Sequence, residues 1–222
     1  MTSEAPKAGR SLLLLAAASG GAALFALTAA LVAHGDALAF DKEILLSLRR
    51  AGNSATPMGP DWLLAAARAV TELGGTPVLT LMVVVFGGYL ILKRDGAALA
   101  LLLAAALGQS IVVNLLKAVF GRDRPEIVPH LAEATSASFP SGHSASAAAI
   151  YLTLAALVAR ESKDRFVRNY AFFVAVALAI VVGASRVYLG VHYPTDVVGG
   201  LSFGAAWAAI VFIAARRLER PN

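Results

Sequence analysis

The chain has no cysteine among its 222 residues. That excludes a disulfide, a thiolate metal site and a thiol nucleophile, and it leaves the redox compartment open. Charge is scarce too. Only 15% of residues are Asp, Glu, Lys or Arg, where a soluble domain has about 25%. Long linkers and strict apolar–polar alternation are also missing, which argues against a membrane β-barrel.

What is there is apolar. Hydrophobic residues make up 58% of the chain, and the mean hydropathy is +0.71. Several continuous apolar runs reach the roughly 20 residues that a helix needs to cross a bilayer. The expected fold is therefore all-α, an integral membrane bundle. The net charge of +5 does not point to nucleic acid, because much of it sits in short loops between apolar runs. A lipid bilayer is the expected partner.

Six spans are predicted, at about residues 11–33, 76–92, 97–120, 143–159, 170–189 and 196–215. The first follows Lys7 and Arg10 and has the look of a signal peptide, but its length favours a retained helix. Residues 41–50 place Ile44, Leu45 and Leu48 on one face, and residues 61–73 carry Trp62. Both read as short amphipathic helices lying at the membrane surface after the first span. A turn-rich break at 53–60 separates them. This segment reads either as a lid or guide for lipid entry or as a surface connector. No repeat divides the chain, so residues 1–222 are expected to form one domain.

Basic residues segregate. Lys7/Arg10, Lys93/Arg94, Arg160/Lys163/Arg165/Arg168 and Arg216/Arg217/Arg220 fall on one side of six spans. The positive-inside rule makes that side, with both termini, cytoplasmic. The loops at 34–75, 121–141 and 190–195 face the other way, their bases interleaved with Asp36, Asp41, Glu43, Asp61, Glu72, Asp123, Glu126 and Glu133. The compact, Ala/Leu-rich, cysteine-free chain suggests a bacterial inner membrane.

Three polar groups interrupt the apolar pattern. They are Lys117 to Pro125, Pro140-Ser141-Gly142-His143, and Ser185-Arg186 followed by His192 and Asp196. In an antiparallel bundle they share the non-cytoplasmic end. Ser141 suits a helix N-cap, and the N–H groups beyond it suit an anion. His143 stands in that first turn, where it can hand over a proton. Lys117, Arg124 and Arg186 offer three cations, and Arg binds phosphate oxygens in a bidentate way. Asp196 can hold one ring N–H of His192, which leaves the other nitrogen free to attack phosphorus. Singly, each element has a plainer reading. Ser141 caps a helix, Lys117, Arg122 and Arg124 anchor at the interface, and Asp196 caps the last span. His34 and His130 match no motif and are expected to have no role.

Taken together, the groups resemble the type 2 phosphatidic acid phosphatase superfamily. Its signature is Lys-x6-Arg-Pro, Pro-Ser-Gly-His and Ser-Arg-x5-His-x3-Asp, and every defined position is matched here. The resemblance implies a membrane lipid phosphatase, in the manner of an undecaprenyl pyrophosphate phosphatase, with a phosphohistidine intermediate. It assigns His192 as nucleophile, Asp196 as its support and His143 as the acid that protonates the leaving oxygen. It makes Lys117, Arg124, Ser141, Gly142 and Arg186 the phosphate-binding residues. It implies no metal and no cofactor. Expected substrates are isoprenoid diphosphates, phosphatidylglycerophosphate or phosphatidic acid. A lipid-linked phosphotransferase on the same scaffold and a non-catalytic lipid phosphate transporter are the alternatives. The motifs are also similar to those of vanadate-dependent haloperoxidases, which a six-span membrane form disfavours.

Overall fold

A computed structural model describes residues 5–218, with side chains from residue 14 to residue 215. The side chains of Lys7, Arg10, Arg216, Arg217 and Arg220, which enter the topology argument, lie outside the described residues. The elements in order are α1 (Ala5–His34), α2 (Leu38–Ser47), β1 (Arg49–Arg50), β2 (Asn53–Pro57), α3 (Asp61–Glu72) and α4 (Thr76–Leu92). Then come α5 (Gly96–Leu103), a π-helical turn (Ala104–Gly108), α6 (Gln109–Phe120), α7 (Gly142–Glu161), α8 (Arg165–Tyr188) and α9 (Pro194–Leu218).

Among the described residues, five stretches are long and apolar enough to cross a membrane: Leu14–His34, Gly96–Phe120, Gly142–Glu161, Arg165–Tyr188 and Pro194–Ala215. A sixth arises only if α3 and α4, which meet at a 45° bend, are taken together. The reason is length. The 17 residues of α4 rise only about 25 Å, short of the roughly 30 Å hydrocarbon core.

The helix ends follow their sequences. Gly121 takes a left-handed conformation with φ 54° and stops α6 just before Arg122. Ser141 caps α7, its side chain accepting from the N–H of Ser144. Asp95 and Asp164 cap α5 and α8 in the same way, accepting from Ala98 and Phe166. Each cap satisfies an N–H that the helix cannot.

The core is built on small residues. The buried face of α7 is dominated by alanine, including Ala145, Ala147, Ala148, Ala149 and Ala155. Against it α9 brings Gly200 and Gly204, where an added Cβ would collide with the carbonyl oxygens of Ser141 and Ala145. Glycine four residues apart lets two helix backbones touch, the usual device where lipid supplies no hydrophobic drive between helices. On its other side α9 packs against α1, with Gly21 facing the Ser202 carbonyl. In the π-helical turn, the Trp207 indole donates to Ala104 O at 3.2 Å. Large side chains such as Leu81, Val84, Ile111, Leu115, Phe173 and Ile180 point outward, as lipid-facing residues do.

Two features differ from the sequence reading. The break at 53–60 is largely an antiparallel hairpin, pairing Arg49 with Pro57 and Arg50 with Asn53, so the architecture is helical with one small two-stranded ribbon. In addition, α2 does not merely lie on a surface. It buries Leu45 against Val187, Tyr193 and Val197, and it buries Asp41 completely. Together α2, the hairpin and α3 form a cap over one end of the bundle. Tyr188 Oη donates to Met58 O at 2.8 Å, Arg49 donates to Tyr188 O at 3.0 Å, and Arg68 Nε donates to Leu131 O at 3.1 Å.

Candidate active site

Under the cap, the C-terminal ends of α6 and α8 meet the N-terminal ends of α7 and α9. The three sequence groups are stitched together by hydrogen bonds to backbone carbonyls. Ser141 N donates to Asp196 O at 3.0 Å, and Arg124 NH1 donates to Val191 O at 2.6 Å. All eight residues assigned by the sequence lie at this one end.

His192 is 2% exposed and has both ring nitrogens engaged. Nδ1 lies 3.4 Å from Asp196 Oδ2 and 3.3 Å from Ser138 Oγ. Nε2 lies 3.3 Å from Arg124 NH1. A guanidinium can only donate, so Nε2 is the acceptor and Nδ1 carries the hydrogen toward Asp196. Burial pushes the His192 imidazole down to about 4 from its ordinary 6.5, and the partly opposing pull of Asp196 does not restore it. At neutral pH this ring is therefore uncharged, with a lone pair on Nε2.

Asp196 is fully buried and saturated with donors. Arg122 NH1 gives to Oδ1 at 2.6 Å, and Ser138 Oγ and Tyr193 N give to Oδ2 at 2.5 and 2.9 Å. Arg122 also holds Asp41 through NH2 at 2.7 Å. Burial opposes the charge of this guanidinium, but Asp196 and Asp41 outweigh it and raise its pKa.

The three cations are drawn inward by the 121–141 loop and the cap. Lys117 donates to Ala137 O. Arg124 Nε donates to Ser136 O at 2.7 Å, and burial lowers its pKa against the pull of Asp196. Arg186 donates to Thr71 Oγ1 at 2.9 Å and to Glu133 O at 3.5 Å. Its Nε is buried with no hydrogen-bond partner among the described residues, an unused donor on a residue of the cluster. Such a charge set attracts phosphate and repels a divalent cation.

His143 is the second residue of α7, in its first turn and half-buried, within electrostatic reach of Arg186, His192, Arg124 and Lys117. Gly74, between α3 and α4, packs directly on its backbone. The first N–H groups of α7 have no intrahelical partner by position. Of these, that of Ser141 is taken by Asp196 O, and the Ser141 hydroxyl accepts from Ser144 Oγ at 3.0 Å. Ser141 thus keeps its hydroxyl proton to give, while the N–H groups of Gly142 and His143 point out of the helix mouth.

Sequence reasoning missed Asp41, Thr71, Ser138 and Thr195 and read Arg122 only as an interfacial anchor. Thr195 gives its N–H to Asp41 Oδ1 at 3.0 Å and its hydroxyl to Oδ2 at 2.6 Å. Nothing local marked them. In the sequence Asp41 is one of several acids in a loop, yet in the fold it is a buried counter-ion of Arg122, which stands just past the end of α6. His130, expected to be idle, binds Pro125 O at 2.7 Å and steadies the loop that carries Arg124.

A helical membrane bundle with cations and imidazoles gathered at one end is the build of an integral membrane enzyme that handles phosphate. The comparisons make this specific. The family model described as the PAP2 superfamily matches residues 97–220, more than half of the chain, and the chain belongs to that superfamily. Phosphatidylglycerophosphatase B of Bacillus subtilis (strain 168) is 36% identical over 151 residues, 64% of this chain and 70% of that one. A lipid A 1-phosphatase of Rhizobium johnstonii is 38% identical over 114 residues, 46% of this chain and 43% of that one. The crystal structure of a transmembrane PAP2-type phosphatidylglycerolphosphate phosphatase from Bacillus subtilis superposes with a TM-score of 0.78 at 28% identity, covering 91% of this chain and 98% of that one. The protein is a PAP2-type lipid phosphatase, a hydrolase of phosphoric esters embedded in the membrane.

Proposed function

We propose that the chain hydrolyses the phosphate ester of a glycerolipid phosphate, of the phosphatidylglycerophosphate or phosphatidic acid kind, through a phosphohistidine on His192. The reading is carried by the two-sided grip on that imidazole, with Asp196 at Nδ1 and the Arg124 guanidinium at Nε2. The phosphoryl group takes the place of the Nε2 contact, lying against Lys117, Arg124, Arg186, the Ser141 hydroxyl and the first N–H groups of α7. The choice of a glycerolipid leans on the Bacillus relatives, which align over most of their own length.

The Nε2 lone pair attacks phosphorus, and the bond from phosphorus to the ester oxygen breaks. His143 gives its proton to that departing oxygen. A water oxygen then attacks phosphorus, the P–N bond returns its electrons to Nε2, and His143 takes the water's proton. Inorganic phosphate leaves. Uncatalysed phosphate monoester hydrolysis is so slow that the site must supply on the order of 20 kcal/mol. Fixed cations around the moving phosphoryl group supply much of it. No metal takes part in this scheme.

We place the site at the non-cytoplasmic face of a six-span bundle, with both termini cytoplasmic and α4 as the second span. In support, the basic loops lie together at the opposite end, where Lys93 pairs with Glu161 at 2.8 Å and Arg160 pairs with Asp95.

The test is direct. Purified protein in detergent with EDTA is offered phosphatidylglycerophosphate, phosphatidic acid and an isoprenoid diphosphate, and released phosphate is measured. Glycerolipid turnover, with an alkali-stable labelled enzyme that vanishes in His192→Ala, is the expected result. Label surviving in His192→Ala would end the nucleophile assignment.

A further inference from the structure

The family match begins at residue 97, yet one fully buried carboxylate bound into the site comes from far upstream. Asp41 stands in the first turn of α2 with 0% exposure. Its oxygens receive Thr195 N, Thr195 Oγ1 and Arg122 NH2 at 3.0, 2.6 and 2.7 Å. The other arm of Arg122 reaches Asp196 Oδ1 at 2.6 Å and Thr195 Oγ1 at 2.9 Å. The guanidinium lies over the Tyr193 ring, 4.3 Å from its centroid. The far oxygen of Asp196 faces His192 Nδ1. Asp41, Arg122, Asp196 and His192 thus form one continuous buried chain.

We propose that Arg122 and Asp41 are positioning residues for the reaction: Arg122 clamps Asp196 and sets how strongly that carboxylate supports His192, and Asp41 holds back part of the Arg122 charge. Neither touches the phosphoryl pocket. The inference rests on the His192 nucleophile reading above.

The electrostatics run in opposite directions at the two positions. A guanidinium on Asp196 weakens the field that this carboxylate exerts on Nδ1, so removing it makes His192 easier to protonate. Removing the Asp41 charge leaves Arg122 opposed by Asp196 alone. Asp196 is then more fully neutralised, and His192 becomes harder to protonate. The other groups facing His192 are Arg124 from the loop, Arg186 from α8 and His143 from α7, and both changes leave them in place. The chain is buried, so salt does little to screen it. Asp41 is tolerated at zero exposure for a local reason. It is paired and fully hydrogen-bonded.

The experiment is the pH dependence of kcat/KM for the full-length protein in detergent, whose acid limb reports the free enzyme. Arg122→Gln should raise the limb by roughly 0.5–1 pH unit, and Asp41→Asn should lower it by a similar amount. Both should reduce kcat on the order of tenfold or more through misalignment of the ring. KM should stay within about twofold, because Lys117, Arg124 and Arg186 are untouched. Unmoved limbs, or limbs that move the same way in both variants, overturn the proposal even if activity falls. Should Asp41→Asn fail to fold, Arg122→Gln against Arg122→Lys decides. The lysine restores the charge and should return the limb toward wild type, and identical limbs overturn the idea. His192→Ala separates the two readings. If it is inactive while Asp41→Asn and Arg122→Gln behave as wild type, only the positioning role falls. If it still traps phosphate, both fall.

Discussion

The two ends of this bundle each carry ion pairs, and the pairs are physically different things. At the capped end Arg122 binds Asp41 and Asp196 with side chains 12%, 0% and 0% exposed. At the other end Lys93 binds Glu161 with side chains 42% and 54% exposed. A buried pair is costly to leave half made, since the surviving charge has no water to turn to. An exposed pair loses little when cut, because water and salt replace the partner. Charge at the first end is therefore held in fixed, desolvated geometry, while charge at the second end is screened by solvent.

The largest expected effect tests the capped end directly. His192→Ala should cost at least roughly 10⁴-fold in phosphate release, measured as initial rates on a lipid phosphate. Arg186→Ala should cost about 10²- to 10³-fold in kcat/KM, since its open Nε is a donor no neighbour uses. A loss no greater than that of Arg160→Ala, read in the same assay, would erase the contrast between the ends.

The pH profile comes next. Burial holds His192 near 4, below the ordinary histidine value. Its protonated form, which cannot attack, appears only as pH falls through that lowered value. The acid limb of kcat/KM should therefore lie well below pH 6.5, with activity kept at pH 5.5. A limb near 6.5 would mean that His192 is more solvated than its 2% exposure implies.

A smaller effect concerns stability. Gly204→Ala puts a methyl group into the Ala145 carbonyl and should destabilise the bundle by about 1–3 kcal/mol, seen as a lower unfolding temperature in detergent. The least effect is expected from Lys93→Met. Its unfolding temperature should stay within about 2 °C of wild type and its activity unchanged. A larger drop would show that the exposed end is held by more than screened charge.

Much of this was legible in the chain. The apolar runs announced the helices to within a few residues, because hydropathy is a local property. Lys117, Arg124, His143, Arg186, His192 and Asp196, which gather at the capped end, stand out in the sequence as polar groups that an apolar span would not otherwise carry. The cap was less legible. Residues 49–57 read as a break because a two-residue strand leaves no periodicity to detect. Asp41 read as one acid among several because its partners, Arg122 and Thr195, stand 81 and 154 residues away. Arg122 and Arg124, two places apart, read alike. Only in space does one face the carboxylates of Asp41 and Asp196 and the other Nε2 of His192.

By itself the sequence determined the membrane helices, the three polar groups and the superfamily, since each depends on residue type and spacing along the chain. The tertiary structure alone decided which cation meets which anion and which segment closes over the site. Those choices follow from the depth and rotation at which the helices lock, set by the glycine and alanine contacts of α7 and α9, and no stretch of chain read singly contains them.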